Sequence, residues 1–351
     1  MPKSDSTVQS SNSLPNKAFQ PRQLGSSGPN VSGVGLGAMR ISASLPERTT
    51  VEREEEGLKV IRAAAEAGIT LFDTGDFYGG GHNELLVGRA LKQFNRDEVT
   101  LSVKFGMLQL PGGGMSAVDS RPESIKNFLT YSLTRLGVDH IDIYRPARLD
   151  KTVPIEETVG ALSELVEQGY IRHIGLSEIG ATTLRRAAAI HPISDLQIEY
   201  SLIERGIETA ILPAARELGV AITAYGILSH GLLSQDFLSG RTLKEPGQFM
   251  HPRFKGQAGT RNLRTAQALA SVAEQHGVTL AQAATAWVMA QGSDVIPIIG
   301  STRMTSLQES LGALQLKFSS TDLQAIEDAV PPEGIAGERH IPQQMAFFDR
   351  G

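Results

Sequence analysis

The chain carries 351 residues, a formal net charge of -5 and no cysteine. The charge argues against nucleic acid or an acidic membrane surface as the main partner, and the missing thiols exclude a disulfide framework, a thiolate metal site and a cysteine nucleophile. No apolar run is long enough to span a bilayer, and residues 1–20, rich in Ser, Asn, Gln and Pro, lack the apolar stretch of a secretory signal. The expectation is a cytoplasmic protein without a membrane partner, its first 20 residues a disordered tail.

Beyond the tail, short β-branched runs recur at Val34–Leu36, Ile69–Phe72, Val99–Val103, Ile141–Tyr144, Ile171–Leu176, Leu196–Ile198, Val220–Ala224 and Val295–Ile299. Helical spacing fills the gaps, as in Ile125, Leu129, Leu133 and Leu136, or Ile155, Val159, Leu162 and Val166. Gly68, Gly137, Gly169, Gly219 and Gly277 each follow a helical run, where a left-handed terminal residue is wanted. Parallel strands need crossover helices, so the alternation predicts α/β architecture: a (β/α)8 TIM barrel over 21–330, with a doubly wound open sheet as the alternative. Phe105–Ser120 and Phe237–Asn262 read as long loops beside the site, and 331–351 as either a cover over it or a solvated tail.

In such a barrel, chemistry collects at the C-terminal strand ends. Asp73 and Tyr78, Lys104, Arg145 and Arg148, Ser177 and Glu178, Gln197 and Glu199, Tyr225, and Ser301–Arg303 all fall there. A lysine beside a phenol favours phenolate and lowers its pKa, and a carboxylate holds that lysine in place. Such a tyrosine exchanges a proton with a carbonyl oxygen as hydride moves. The plainer alternative is an Asp73–Lys104 ion pair bracing two strand ends.

The segments Phe72-Asp-Thr-Gly-Asp-Phe-Tyr-Gly79, Asn83-Glu84, Gly88-Arg-Ala-Leu91 and Ser102-Val-Lys-Phe-Gly106 closely resemble the aldo-keto reductase signature. So do Ser132–Gly137, Pro154–Glu157, Gly169–Ser177 and Gln282–Trp287, and the likeness runs from Arg22 onward. The resemblance implies Tyr78 as general acid, Lys104 as its tuner and Asp73 as the partner of Lys104. It implies NADPH as cofactor, the nicotinamide amide held by Ser177 and Gln197, and the ring stacked on Tyr225. Gly226 and Leu228 would line the pyrophosphate path. Gly300, Thr302, Arg303, Ser306 and Glu309 would hold the adenosine end, with Arg303 at a helix N-terminus suited to a 2′-phosphate.

The resemblance breaks at Asp142-Ile-Tyr-Arg-Pro-Ala-Arg-Leu-Asp150, where Ala147 stands in place of the family's catalytic histidine, as in the pyridoxal-reductase-like branch. Arg145, Ala147 and Arg148 are therefore expected to line the substrate pocket, with room for a bulky or ring-bearing carbonyl. Glu178 and Ser310 stand where many relatives carry Asn. An NADPH-binding regulatory module, like the channel-associated β-subunits of the same fold, is the competing reading.

Other signals weigh less. Gly33-Val-Gly-Leu-Gly37 has its third glycine misplaced for a dinucleotide fingerprint and reads as a first barrel strand. The eight histidines show no metal-ligand spacing, so no metal is expected, and His230 reads as a loop residue. Trp287 and Met289 read as core.

Overall fold

The computed structural model describes residues 20–42, 49–240 and 251–349; most of the expected N-terminal tail lies outside them. All eight expected runs form strands, at Gly35–Gly37, Leu71–Gly75, Thr100–Phe105, Ile141–Pro146, Ile171–Ser177, Ile193–Glu199, Ala221–Tyr225 and Val295–Gly300. They pair in sequence order, every pairing parallel, and the fifth closes on the sixth and the eighth on the first as a closed barrel. The open-sheet alternative is set aside.

Strand periodicity sorts the side chains into two cores. Phe72, Val103, Phe105, Tyr144, Ile174, Leu176, Leu196, Ile222 and Ile299 face outward and join the buried helix faces, among them Ile125, Leu129, Val159 and Leu162. The inward positions split by height. Leu71, Ile143, Ala221, Ile296 and Ile298 form a separate apolar cluster with Leu24 and Val31 from the N-terminal hairpin, Arg22–Gln23 against Asn30–Val31. Two residues beyond Leu71, Ile143 and Ala221 the inward positions turn polar, at Asp73, Arg145 and Thr223, and Lys104 and Gln197 join them from the third and sixth strands. The barrel is thus apolar at its base and polar where its strands end. The five helix-terminating glycines all adopt positive φ.

Both expected loops carry more structure than foreseen. Phe105–Ser120 contains an antiparallel hairpin, Met107–Gln109 with Met115–Val118. Within Phe237–Asn262, Phe237 belongs to a short helix, Gln235–Leu238, and a long helix, Gly256–Gln275, starts well before the expected end. That helix buries Asn262, Thr265, Ala266, Leu269 and Ala273. Only one of these is strongly apolar, so its periodicity is faint in sequence. The C-terminal segment turns back at the strand ends, through the short helix Pro342–Met345, and buries Phe348.

Candidate active site

Strand register brings the first group together. Asp73 is level with Ser102, and Lys104 is level with Arg145. The Lys104 ammonium meets Asp73 Oδ1 in a short contact, both side chains 5% exposed. Asp73 Oδ2 accepts from Ser102 Oγ and from Gln197 Nε2, each at 2.8 Å. Lys104 Nζ stands 5.1 Å from the centre of the Tyr78 ring, which packs edge-on against Phe77. The tyrosine titrates upward, against the sequence expectation: burial is the largest influence and raises its pKa, Lys104 opposes it, and Asp73 adds to it. The phenol therefore keeps its proton at neutral pH.

Arg145 departs from its expected place. It is wholly buried inside the barrel, where Nη1 donates to Asp195 Oδ2 at 2.7 Å and Nη2 to Ser102 Oγ at 2.9 Å. Thr223 Oγ1 donates to the same Asp195 oxygen at 2.5 Å. Removing two such charges from water costs several kcal/mol each, which only paired, hydrogen-bonded geometry offsets. Gly175 makes the room: a Cβ there would come within 2.8 Å of Asp195 Oδ1 and 3.1 Å of Arg145 Cζ. Through Ser102, this pair buttresses Asp73.

Ala147 is also wholly buried, so it presents no open pocket wall; the room expected there is absent. Arg148 is half-buried, donates to the Ala147 carbonyl at 2.6 Å, and lies 4.6 Å over the Phe348 ring. Of the three expected pocket residues, only Arg148 keeps exposed surface.

Several expected cofactor residues line the same end. Ser177 is buried, its Oγ without a hydrogen-bond partner, while the Gln197 amide is engaged by Asp73. Tyr225 donates to Glu178 Oε1 at 2.6 Å, and Gly226 and Leu228 follow it on the turn. Gly300 is exposed, and a nearby cleft of about 220 Å³ is lined by Arg40, Ile41, Arg53, Glu56, Gly57 and Thr302. Arg303 precedes the helix Met304–Gly312, its side chain 66% exposed and 3.6 Å from Asp236. Ser306 and Glu309, one helical turn apart, are both half-buried.

Sequence reading missed what the C-terminal segment contributes. Arg339 Nη2 donates to Glu178 Oε1 and Nε to Glu199 Oε2, both at 2.8 Å. Burial alone would raise the Glu178 pKa, but Arg339 and Arg148 hold it below the usual value, whereas burial lifts that of Glu199. Three histidines that sequence spacing left unconnected, His230, His251 and His340, also meet here. No local spacing signals such a group, because its members come from three separate segments.

Other family-like positions are structural. Thr74 Oγ1 donates to Asn83 at 2.6 Å, Asn83 Nδ2 to the Ala38 carbonyl at 2.8 Å, and Arg135 binds buried Glu84. Trp287 is core, with Nε1 donating to Glu327 at 2.9 Å.

The model of the Aldo/keto reductase family matches residues 33–331. A Glycine max protein described as probable aldo-keto reductase 1 is 41% identical over 322 residues, 92% of either chain. The solved glycerol dehydrogenase AKR11B4 from Gluconobacter oxydans is similar with a TM-score of 0.77 at 27% identity, over 90% of this chain and 94% of that one. The aldo-keto reductase AKR11C1 from Bacillus halodurans, in its holo form, gives 0.74 at 25% identity, over 90% and 97%.

Proposed function

The chain belongs to the aldo/keto reductase family, an NAD(P)H-dependent oxidoreductase of carbonyl compounds, and on that premise we propose that it reduces an aldehyde or ketone with NADPH, Tyr78 giving the proton. The observation that carries the reading is the buried Lys104 ammonium, held by Asp73 and directed beneath the Tyr78 ring. A bound nicotinamide supplies the hydride. Tyr78 donates its phenolic proton to the substrate oxygen, and Lys104 stabilises the phenolate left behind. Asp73, fixed by Ser102 and Gln197, keeps Lys104 within reach. Arg148 is the cation at the mouth that can meet negative charge on the substrate oxygen where the family histidine is missing.

The residues fit the cofactor. The partnerless Ser177 hydroxyl is a ready donor for a carboxamide oxygen. Tyr225 offers a ring to stack on, and Gly226 and Leu228 follow it along the pyrophosphate path. At the other end, Gly300, Thr302, Arg303, Ser306 and Glu309 would hold the adenosine, and the cleft by Thr302 adds Arg40 and Arg53, with Glu56 also in its lining. A cluster of guanidinium groups favours a 2′-phosphate.

The test is Tyr78→Phe. Turnover on a panel of aldehydes and ketones, followed by NADPH absorbance, is expected to fall about 100- to 10,000-fold, the usual contribution of a positioned acid. NADPH binding, followed by fluorescence, is expected to persist. Near-normal turnover in the variant removes Tyr78 from the mechanism.

A further inference from the structure

Apart from the groups already used, the described residues bring together three metal-ligating side chains: His230, His251 and His340, whose ligand nitrogens all lie within 4.8 Å of one another. His230 stands on the turn after the seventh barrel strand, His251 just ahead of the one-turn helix Pro252–Phe254, and His340 on the C-terminal segment. His230 and His251 stack with ring centres 4.0 Å apart, and His340 meets His230 edge-on at 5.4 Å.

Two protonated rings at that separation would repel strongly, so the stack requires at least one of the two imidazoles to be neutral. Neutral imidazole is the metal-binding form.

Three further observations point to a ligand. Both ring nitrogens of His340 are buried without a hydrogen-bond partner, a state costing on the order of 1–3 kcal/mol per group. Ser229 and His230 adopt φ of +43° and +58°, left-handed values that cost non-glycine residues about 1–3 kcal/mol each, on the turn that carries His230. A ring nitrogen of His251 bonds the Arg339 backbone, the outer contact that commonly fixes the tautomer of a metal-binding histidine.

We propose that His230, His251 and His340 form a site for a divalent transition-metal ion of the zinc type, which pins the C-terminal segment to the turn after the seventh barrel strand. With Zn–N bonds of about 2.0–2.1 Å, tetrahedral ligands lie about 3.3 Å apart, so the triangle has to close by up to about 1.5 Å, and the stacked His230 and His251 rings have to turn out of their stack so that the ion lies in the plane of each. The fourth position falls to water or to Glu199, whose Oε2 stands 3.8 Å from His340 Nε2. Of the nearby cations that oppose an ion, Arg253 is offset by Glu204 and Arg339 by Glu178 and Glu199, while Arg148, over the Phe348 ring, remains as an opposing charge. The same ion would close a ring between chain segments about 110 residues apart, which loop-closure entropy makes an effective clasp.

The experiment uses the full chain stripped with chelator, then titrated with zinc chloride by calorimetry and with cobalt(II) by visible absorption. About one ion per chain with micromolar or tighter affinity is expected, and a tetrahedral cobalt spectrum. His340→Asn and, independently, His251→Gln should each weaken binding at least about 10-fold. Zinc should also slow protease cleavage within residues 331–349 of the wild type but not of His340→Asn. Absence of stoichiometric binding, affinity unchanged in both variants, or binding without protection of the segment overturns the proposal. Because none of these readouts uses turnover, the result stands apart from that of Tyr78→Phe.

Discussion

Gln197 donates a 2.8 Å hydrogen bond to Asp73 across 124 residues of sequence, so the carboxylate that holds Lys104 is itself held by a strand on the other side of the barrel. With Ser102 and Lys104 as its other donors, Asp73 accepts three bonds in a nearly dry environment. Asp73→Asn would turn an NH2 group either on the ammonium or on the Ser102 and Gln197 donors, setting donor against donor in both orientations. Breaking a buried pair from one side costs about 3–5 kcal/mol, so the urea midpoint should fall along with kcat. Native stability and native turnover together would mean that Lys104 is positioned by something else.

Asp76 gives a pH signature. Burial first, then Glu84, push its carboxyl up to about 7, with the Gly106 amide and Arg135 pulling the other way. Between its ordinary value of 3.8 and about 7, the folded state keeps a proton that the unfolded chain has released. Stability from this group is therefore greatest at low pH and is lost as pH rises through 7. Asp76→Asn cannot lose that proton. Its stability relative to wild type should rise by about 1–3 kcal/mol from pH 5 to pH 8, since one pKa unit corresponds to about 1.4 kcal/mol. A difference that stays flat with pH rejects the assignment.

Arg303 is expected to read the 2′-phosphate. A charge-assisted hydrogen bond contributes about 1.5–3 kcal/mol, and the 66% exposure of this side chain brings the expected loss in Arg303→Ala to the lower end. NADPH affinity should fall and NADH affinity change little. Equal weakening of both would remove the phosphate role and leave Arg40 and Arg53 as the candidates.

Ala147 is sealed, so a larger residue there meets packed atoms rather than vacant space. Ala147→His, which restores the family residue, should overpack the strand end and cost about 1–3 kcal/mol. A thermal melt reads this directly. An unchanged Tm with better turnover of small aldehydes would restore the sequence view that this position sets substrate size.

The sequence by itself determined the barrel. Eight β-branched runs separated by helical spacing admit few parallel solutions, and each glycine placed after a helix took up the left-handed turn asked of it. It also put Asp73, Tyr78 and Lys104 in one neighbourhood, because strand ends in a parallel barrel share one face. Tertiary structure decided what each neighbour does. Arg145 reads as a rim cation, yet register sets it opposite Asp195 in a space opened by Gly175. Tyr78 reads as a phenol acidified by lysine, yet burial outweighs the lysine. The contacts of Arg339 and the meeting of His230, His251 and His340 leave no local pattern at all. Periodicity reports which face of an element is apolar; it carries no information on which distant polar groups closure of the barrel and return of the C-terminal segment bring within bonding distance. Burial and charge pairing depend on those distances, and so the chemistry of the site was fixed only in three dimensions.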